Sequence, residues 1–336
     1  MEKGRQFTAN SPTSVPPELR VIVPAHQAEA TLGLCLDAIF AAGFARQEVL
    51  VIDDGSRDAT SAVAASKGVR VIRNDIAQRP AKARNRGAAE AGGDVLVFID
   101  SDVVVHPGLR NALLHHFKDP SLVGVIGSYD AAPDAPSVVS RYRNLLHHAT
   151  HQDAAGDTPT FWSGLGAMRR DAFEAAGGYD SSWEDIEDVE LGLRVTAAGG
   201  RILLDPTLQG THLKDWTVRG MMKTDIYGRA VPWTRLMLSG RLARGVMNTS
   251  AANRVSALSV VAVPAMLVLS LLWPAAMQLA VIAAAAFLIA NGRLLWRLAR
   301  AGGAGFALQA LPYHVLHYVA ALTGYAKVRL FERSSA

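Results

Sequence analysis

The sequence predicts an α/β protein, with a mainly parallel sheet and flanking helices followed by an apolar helical C-terminal third. Three observations carry that expectation. Short β-rich runs alternate with helical stretches from Leu19 to Ile99, the rhythm of a parallel sheet with right-handed crossovers. Two of those runs end in acidic clusters, Asp53-Asp54-Gly55-Ser56 and Asp100-Ser101-Asp102, where open α/β sheets place their ligands. No charged residue occurs from Val255 to Gly292.

The elements follow in order. Leu19–Val23 reads as a strand and Ala30–Ala42 as an amphipathic helix. Glu48–Ile52 is a strand and Asp58–Lys67 a helix with Asp58 near its start. Val69–Arg73 is a strand, Ala81–Ala91 a helix, and Asp94–Ile99 the strand before Asp100. Helix Pro107–Phe117 opens on proline, which suits a first turn. Asp130–Pro136 is a loop, followed by a helical segment with His147 and His151 four apart. Phe161–Met168 is a strand or loop, and Arg170–Ala176 a short helix ending at Gly177-Gly178. Helix Val189–Ala198 ends at Gly199-Gly200, and Arg201–Leu204 is a strand.

The uncharged stretch 255–292 is too long for one membrane span and suits two, with Trp273-Pro274 as the hairpin. Seven basic residues and one acidic residue, Asp225, lie from Arg219 to Arg254 just before it. That charge fits a membrane surface better than nucleic acid, although the net charge is +4. By the positive-inside rule Arg241, Arg244 and Arg254, and then Arg293, Arg297 and Arg300, lie on the cytoplasmic side. Residues 301–326 are uncharged but hold Gln309, Pro312, His314 and His317. A third crossing there would carry Lys327, Arg329 and Arg333 outward, so an interfacial or re-entrant helix is expected. The first residues are polar and Pro/Ser-rich, the composition of a disordered leader rather than a signal peptide. The single Cys35 shares a helical face with Leu32, Leu36 and Ile39 and reads as a buried core residue. The expected organisation is a leader over 1–17, a catalytic domain over 18–215, membrane-interface helices over 216–254, a transmembrane hairpin over 255–292, and interfacial helices with a basic tail over 293–336.

Asp100 and Asp102 follow the apolar run Val95-Leu96-Val97-Phe98-Ile99. Two carboxylates at a strand end need their charge offset, and a hard cation bound to substrate phosphates does that. Around them stand Val21-Ile22-Val23-Pro24-Ala25-His26, Val51-Ile52-Asp53-Asp54-Gly55-Ser56, Ala83-Arg84-Asn85-Arg86-Gly87, and Gly177-Gly178-Tyr179-Asp180 before Glu187-Asp188-Val189-Glu190-Leu191. In their order and spacing these pieces, from about Leu19 to Trp216, resemble the family 2 glycosyltransferases, which have the GT-A fold.

The resemblance implies roles. Pro24, Ala25, Asp53, Asp54, Arg84, Asp100 and Ser101 would form the donor-nucleotide site. Arg84 would contact the base or balance the carboxylates. Asp102, with Asp100 and His212, would hold Mn²⁺ or Mg²⁺ on the diphosphate of a UDP-sugar. Asp188 would be the general base, with Asp185 of the pair Glu184-Asp185 as the alternative. Trp162, Ser163 and Gly164, with Glu187 and Lys214, would face the acceptor or its phosphate. The implied enzyme is an inverting glycosyltransferase of the bacterial inner membrane, its catalytic domain cytoplasmic and its acceptor a membrane-associated hydroxyl. A polyprenyl-phosphate acceptor is the alternative within the class.

Other functions lack their motifs. The loop after the first strand, Pro24-Ala25-His26-Gln27-Ala28, has no glycine for a dinucleotide site, and there is no P-loop. The Gln-x-x-Arg-Trp motif of processive polymer synthases is missing, which favours a single sugar addition. A non-catalytic membrane scaffold would have no use for the carboxylates at 53, 102 and 188.

Overall fold

The computed structural model describes residues 16–133, 135–183, 185–240 and 250–332. The expected leader (apart from its last two residues), Glu184, Arg241, Arg244 and Arg333 lie outside them. The chain forms two compact units.

The first unit comprises residues 16–133 with His151–Lys214. Its elements are β1 (Leu19–Ala25), α1 (Leu32–Ala41), β2 (Val49–Asp53), α2 (Thr60–Ser66), β3 (Arg70–Arg73), α3 (Pro80–Ala91), β4 (Val95–Ile99), β5 (Val103–Val105), α4 (Leu109–His116) and β6 (Leu122–Tyr129). After α5 (Val138–Asp153) come β7 (Gly156–Asp157), β8 (Leu165–Arg169), α6 (Arg170–Ala175), α7 (Glu187–Ala197) and β9 (Arg201–His212). The strands make one sheet of order β3-β2-β1-β4-β8-β6-β9-β5, with β7 also on β9.

The half from β3 to β4 is parallel, as the alternating pattern predicts. Every residue of β2 and β4 is buried, as expected for strands covered on both faces. The other half is mixed. β8 runs antiparallel between β4 and β6, and β6 and β9 are parallel to each other. "Mainly parallel" therefore describes only the first half. Leu122–Tyr129, where no element was expected, is a fully buried eight-residue strand. Its glycines blur the β signal but serve close approach: a Cβ on Gly127 would lie 2.4 Å from the Leu208 carbonyl oxygen. β9 continues to His212 rather than stopping at Leu204, passing Pro206 where its register with β6 shifts.

The topology opens a crevice at one place. β1 connects outward to β2, and the chain later returns to β4 on the other side of β1. The ladder between β1 and β4 ends at Ile22, before Pro24, whose missing N–H needs no partner there. Ligands bind at such a switch point. Pro24-Ala25 and Asp100-Ser101-Asp102 flank it. Cys35 is fully buried beneath, as expected, and its Sγ donates to the Asp100 carbonyl at 3.5 Å.

α7 carries Glu187, Asp188 and Glu190 in its first turn, where the helix dipole favours anions. It approaches the 160–161 backbone so closely that a Cβ on Gly192 would lie 2.2 Å from the Phe161 nitrogen. Gly192→Ala is expected to destabilise this unit by about 1–3 kcal/mol, since backbone cannot step aside as a side chain can. Urea unfolding followed by the tryptophan signal checks this, and an unchanged midpoint would contradict the close packing.

The second unit comprises Ala135–Thr150 and residues 215–332. Most of α5 thus groups with the C-terminal helices, although its sequence lies inside the range expected for the catalytic domain. α8 (Val218–Lys223), a π-helical turn (Thr224–Ala230), α9 (Val231–Leu238), α10 (Ala251–Leu269), α11 (Ala276–Ala290) and α12 (Gly292–Lys327) follow. Tyr142, Leu145, Trp216, Met221, Leu298 and Phe306 form its apolar core.

Among the described residues one helix, α10, is long and apolar enough to cross a membrane, with Leu258, Val261 and Val268 exposed on it. α11 has 15 residues, about 22 Å of helix, against a hydrocarbon core of about 30 Å. It qualifies only together with the helix after it, which turns by 63°. The expected hairpin of two full spans is therefore one candidate span and one short helix in a bent pair. The segment 301–326 lies within α12, which bends at Gly303, where φ is 82°.

Candidate active site

The site is built on the first unit, from the ends of β1, β2 and β4, the start of α7 and the end of β9. Asp100 and Asp102 follow β4. The Asp100 N–H donates to the Gly164 carbonyl at 3.2 Å, and the Leu213 N–H donates to the Asp102 carbonyl at 2.8 Å. The acid pair is thereby tied to the 162–164 loop and to the end of β9.

The two carboxylates have different partners. Asp102 Oδ2 lies 3.4 Å from His212 Nε2. Burial raises the Asp102 pKa, but the hydrogen bond and charge of His212 and the charge of Lys214 outweigh it, so the carboxyl sits below its ordinary value. The His212 ring stacks on Tyr129, with centroids 4.3 Å apart and planes 8° from parallel. Asp100 instead accepts a 2.7 Å bond from Arg84 Nη2. Burial and the neighbouring Asp102 and Asp188 charges push its pKa up against the pull of Arg84. Asp102 and His212 come together as the resemblance implies, while Asp100 is paired with Arg84. Among the described residues no three His, Cys, Asp or Glu side chains form a ready metal cage.

Arg84 is 5% exposed. Its Nη1 donates to Glu187 Oε1 at 2.7 Å. Both ends of the guanidinium are committed to carboxylates, which is the charge-balancing one of its two expected roles. Glu187, expected at the acceptor side, is buried against it. Burial above all, together with Asp188, pushes the Glu187 pKa up to about 7 in spite of Arg84.

Asp188 is half-buried at the start of α7. Its Oδ2 accepts from the Ser163 N–H at 3.1 Å and from Ser163 Oγ at 3.2 Å. The expected acceptor loop and the expected base are therefore in contact. Trp162 folds over Gly164, where a Cβ would lie 2.5 Å from the indole. Its ring also meets Tyr129 and His151 edge-on, each at 4.8 Å. His151 bonds the Gly127 carbonyl at 2.9 Å and so supports this aromatic group. Asp185, the alternative base, is exposed with a left-handed backbone (φ 65°). Lys214 is exposed and acts on Asp102 through its charge.

Asp53 and Asp54 stand at the end of β2, and protein donors fill them. Asp53 is fully buried and accepts from the Ser56 N–H at 2.9 Å and from Ser61 Oγ. Asp54 accepts from Asn74 Nδ2 at 2.6 Å and from the Gln78 and Arg79 N–H groups at 2.9 and 2.8 Å. The pair shapes the turn rather than facing outward. Beside it lies a cavity of about 420 Å³ lined by His26, Gln27, Ser56, Arg57, Arg73 and Ile76, with Gly55, Asp75 and Ala77. His26 and Ser56 lie in the two strand-end motifs quoted from the sequence, but Gln27, Arg57, Arg73 and Ile76 were not expected at the site. Their signal was weak, because a loop of mixed polar residues has no periodicity. His26 Nδ1 lies 2.8 Å from the Asp54 carbonyl and donates to it, so in the neutral ring Nε2 is the acceptor.

The glycosyl transferase family 2 model matches residues 20–177. The glycosyltransferase AglE of Haloferax volcanii is 32% identical over 208 residues, covering 60% of this chain and 68% of AglE. The chain belongs to glycosyltransferase family 2. The pre-mycofactocin glycosyltransferase of Mycobacterium tuberculosis is 30% identical over 187 residues, which span 51% of this family 2 chain and 39% of that protein. The fold agrees. A mannosyltransferase from Pyrobaculum calidifontis, solved with GDP-mannose and Mn²⁺, superimposes with a TM-score of 0.58 at 18% identity, over 99% of this chain and 92% of that one. That likeness identifies a GT-A-like α/β fold.

Proposed function

We propose that the chain transfers a single sugar from a nucleotide-sugar donor, a UDP-sugar, to a hydroxyl of a membrane-associated acceptor, with inversion and with a divalent metal. One observation carries the reading. Asp188, oriented by Ser163, stands at the same end of the sheet as the Asp102–His212 pair, because the Gly164 carbonyl ties that loop to Asp100.

The donor set suits Mg²⁺ or Mn²⁺. An ionised carboxylate and an imidazole nitrogen are hard to borderline ligands, and such ions usually complete their shell with phosphate oxygens and water. Asp102 and His212 would hold the ion, with Asp100 nearby. Bound there, it supplies charge stabilisation to the leaving nucleoside diphosphate. Asp188 takes the proton of the acceptor hydroxyl. The acceptor oxygen bonds to the anomeric carbon as the carbon–oxygen bond to the diphosphate breaks. Attack opposite the leaving group inverts the centre.

The cavity beside Gly55 is the proposed base subsite. His26 Nε2 is an acceptor suited to a ring N–H. His26→Ala should raise the donor KM roughly three- to tenfold, the value of one hydrogen bond, with kcat little changed. Titration with UDP checks it, and unchanged affinity would remove the cavity from the donor site.

A membrane location is supported by α10 and by the basic residues Arg254, Arg293, Arg297 and Arg300. The catalytic unit would then face the cytoplasm. The test of the whole reading is a donor screen on purified protein in detergent, following nucleotide release with and without lipid extract. Lipid-dependent release from one sugar nucleotide is expected. Absence of release from every donor would overturn the reading.

A further inference from the structure

Arg84 is an expensive way to hold a fold together. Its guanidinium is buried between two carboxylates, at 2.7 Å from each, and its Nε has no hydrogen-bond partner. The Tyr179 hydroxyl, on a ring centred 5.7 Å from the guanidinium carbon, is also buried without a partner. Buried charge clusters of this kind are often no more stabilising than apolar side chains of the same volume. Each buried hydrogen bond left unmade adds a further desolvation cost. Stability alone does not account for the arrangement, whereas geometry does.

α3 is wedged between two parts of the site. Gly87 lies against β1, where a Cβ would be 2.4 Å from Ile22 Cγ2. Asn85 clamps the loop leading to α7, donating to the Tyr179 carbonyl at 2.8 Å and accepting from its N–H at 2.9 Å. Arg84, one residue earlier, reaches Asp100 at the end of β4 and Glu187 at the start of α7. Glu187 precedes Asp188 in the chain. A single rigid, planar side chain thus spans the strand end that carries the acid pair and the helix turn that carries the proposed base.

We propose that Arg84 is a positioning residue, a strap that fixes the start of α7 against the end of β4 so that Asp188 is held at the working distance from the donor site. The proposal rests on the glycosyl-transfer reading for its kinetic consequence but not for its structural one. It also assigns the two aspartates separate tasks, with Asp100 tied to the scaffold and Asp102 left for the donor.

The test uses Arg84→Met, Arg84→Lys and Glu187→Gln in the full chain. Misplacement by about 1 Å costs roughly a hundredfold in rate. Arg84→Met should lower kcat by about that factor with donor KM changed less than about threefold. Arg84→Lys, which keeps the charge and loses the fork, should recover only part of it. Glu187→Gln combined with Arg84→Met should cost no more than Arg84→Met alone, because the strap is already cut. Independently of activity, hydrogen exchange at residues 186–190 should quicken in Arg84→Met while β2 and β3 stay protected. A rise in donor KM with kcat intact would make Arg84 a donor contact and overturn the strap. So would unchanged exchange at 186–190, even in a preparation inactive with every donor. If Arg84→Met does not fold, the same exchange comparison on Arg84→Lys and Glu187→Gln decides.

Discussion

Asp188→Asn is expected to cut turnover by about a hundred- to ten-thousandfold while donor binding barely changes. Asparagine keeps the shape, so it can still accept the Ser163 hydrogen bonds, but it cannot take a proton. The position explains why aspartate serves. The carboxylate is in the first turn of α7, and two Ser163 donors orient it. Initial rates at saturating donor check the loss, and UDP titration checks the fold of the site. Turnover near the wild-type rate would instead favour a phosphate acceptor, which is already ionised and needs no base, or would point to Asp185.

Asp102→Asn is expected to lose most transfer activity, about a hundredfold or more, through weaker metal and diphosphate binding. The wild-type protein should lose activity in EDTA and regain it with Mn²⁺ or Mg²⁺. Asp102 is paired with His212 and held below its ordinary pKa, so a charged ligand is present at neutral pH. Full activity in EDTA would remove the metal role. Asp100→Asn should behave differently from Asp102→Asn, because Asp100 faces Arg84. Its loss should resemble the Arg84 variants, with kcat affected more than metal affinity.

The sequence by itself determined the alternation of strands and helices through β4, the burial of Cys35, and the two acid clusters at strand ends. These are local properties. Apolar runs of five residues ending in aspartate fix both a buried strand and the place where its charge emerges, whatever the rest of the chain does. The acidic first turn of α7 was legible for the same reason, since the helix start and its carboxylates are neighbours in the chain. Only the tertiary structure decided which carboxylates remain open to chemistry. Asp53 and Asp54 looked like ligand contacts, but the Ser56, Ser61, Asn74, Gln78 and Arg79 donors come up to 25 residues later. Arg84 was open to two roles, base contact or balance of the carboxylates, and the partner that shows the second, Glu187, lies 103 residues away. Tyr129, which packs against His212, sits on a strand whose glycines hid it, because close backbone approach is invisible to hydrophobic periodicity. A sequence states which groups carry charge. The pairing that satisfies or spares each charge is set by long-range packing, and that pairing separates a site residue from a structural one.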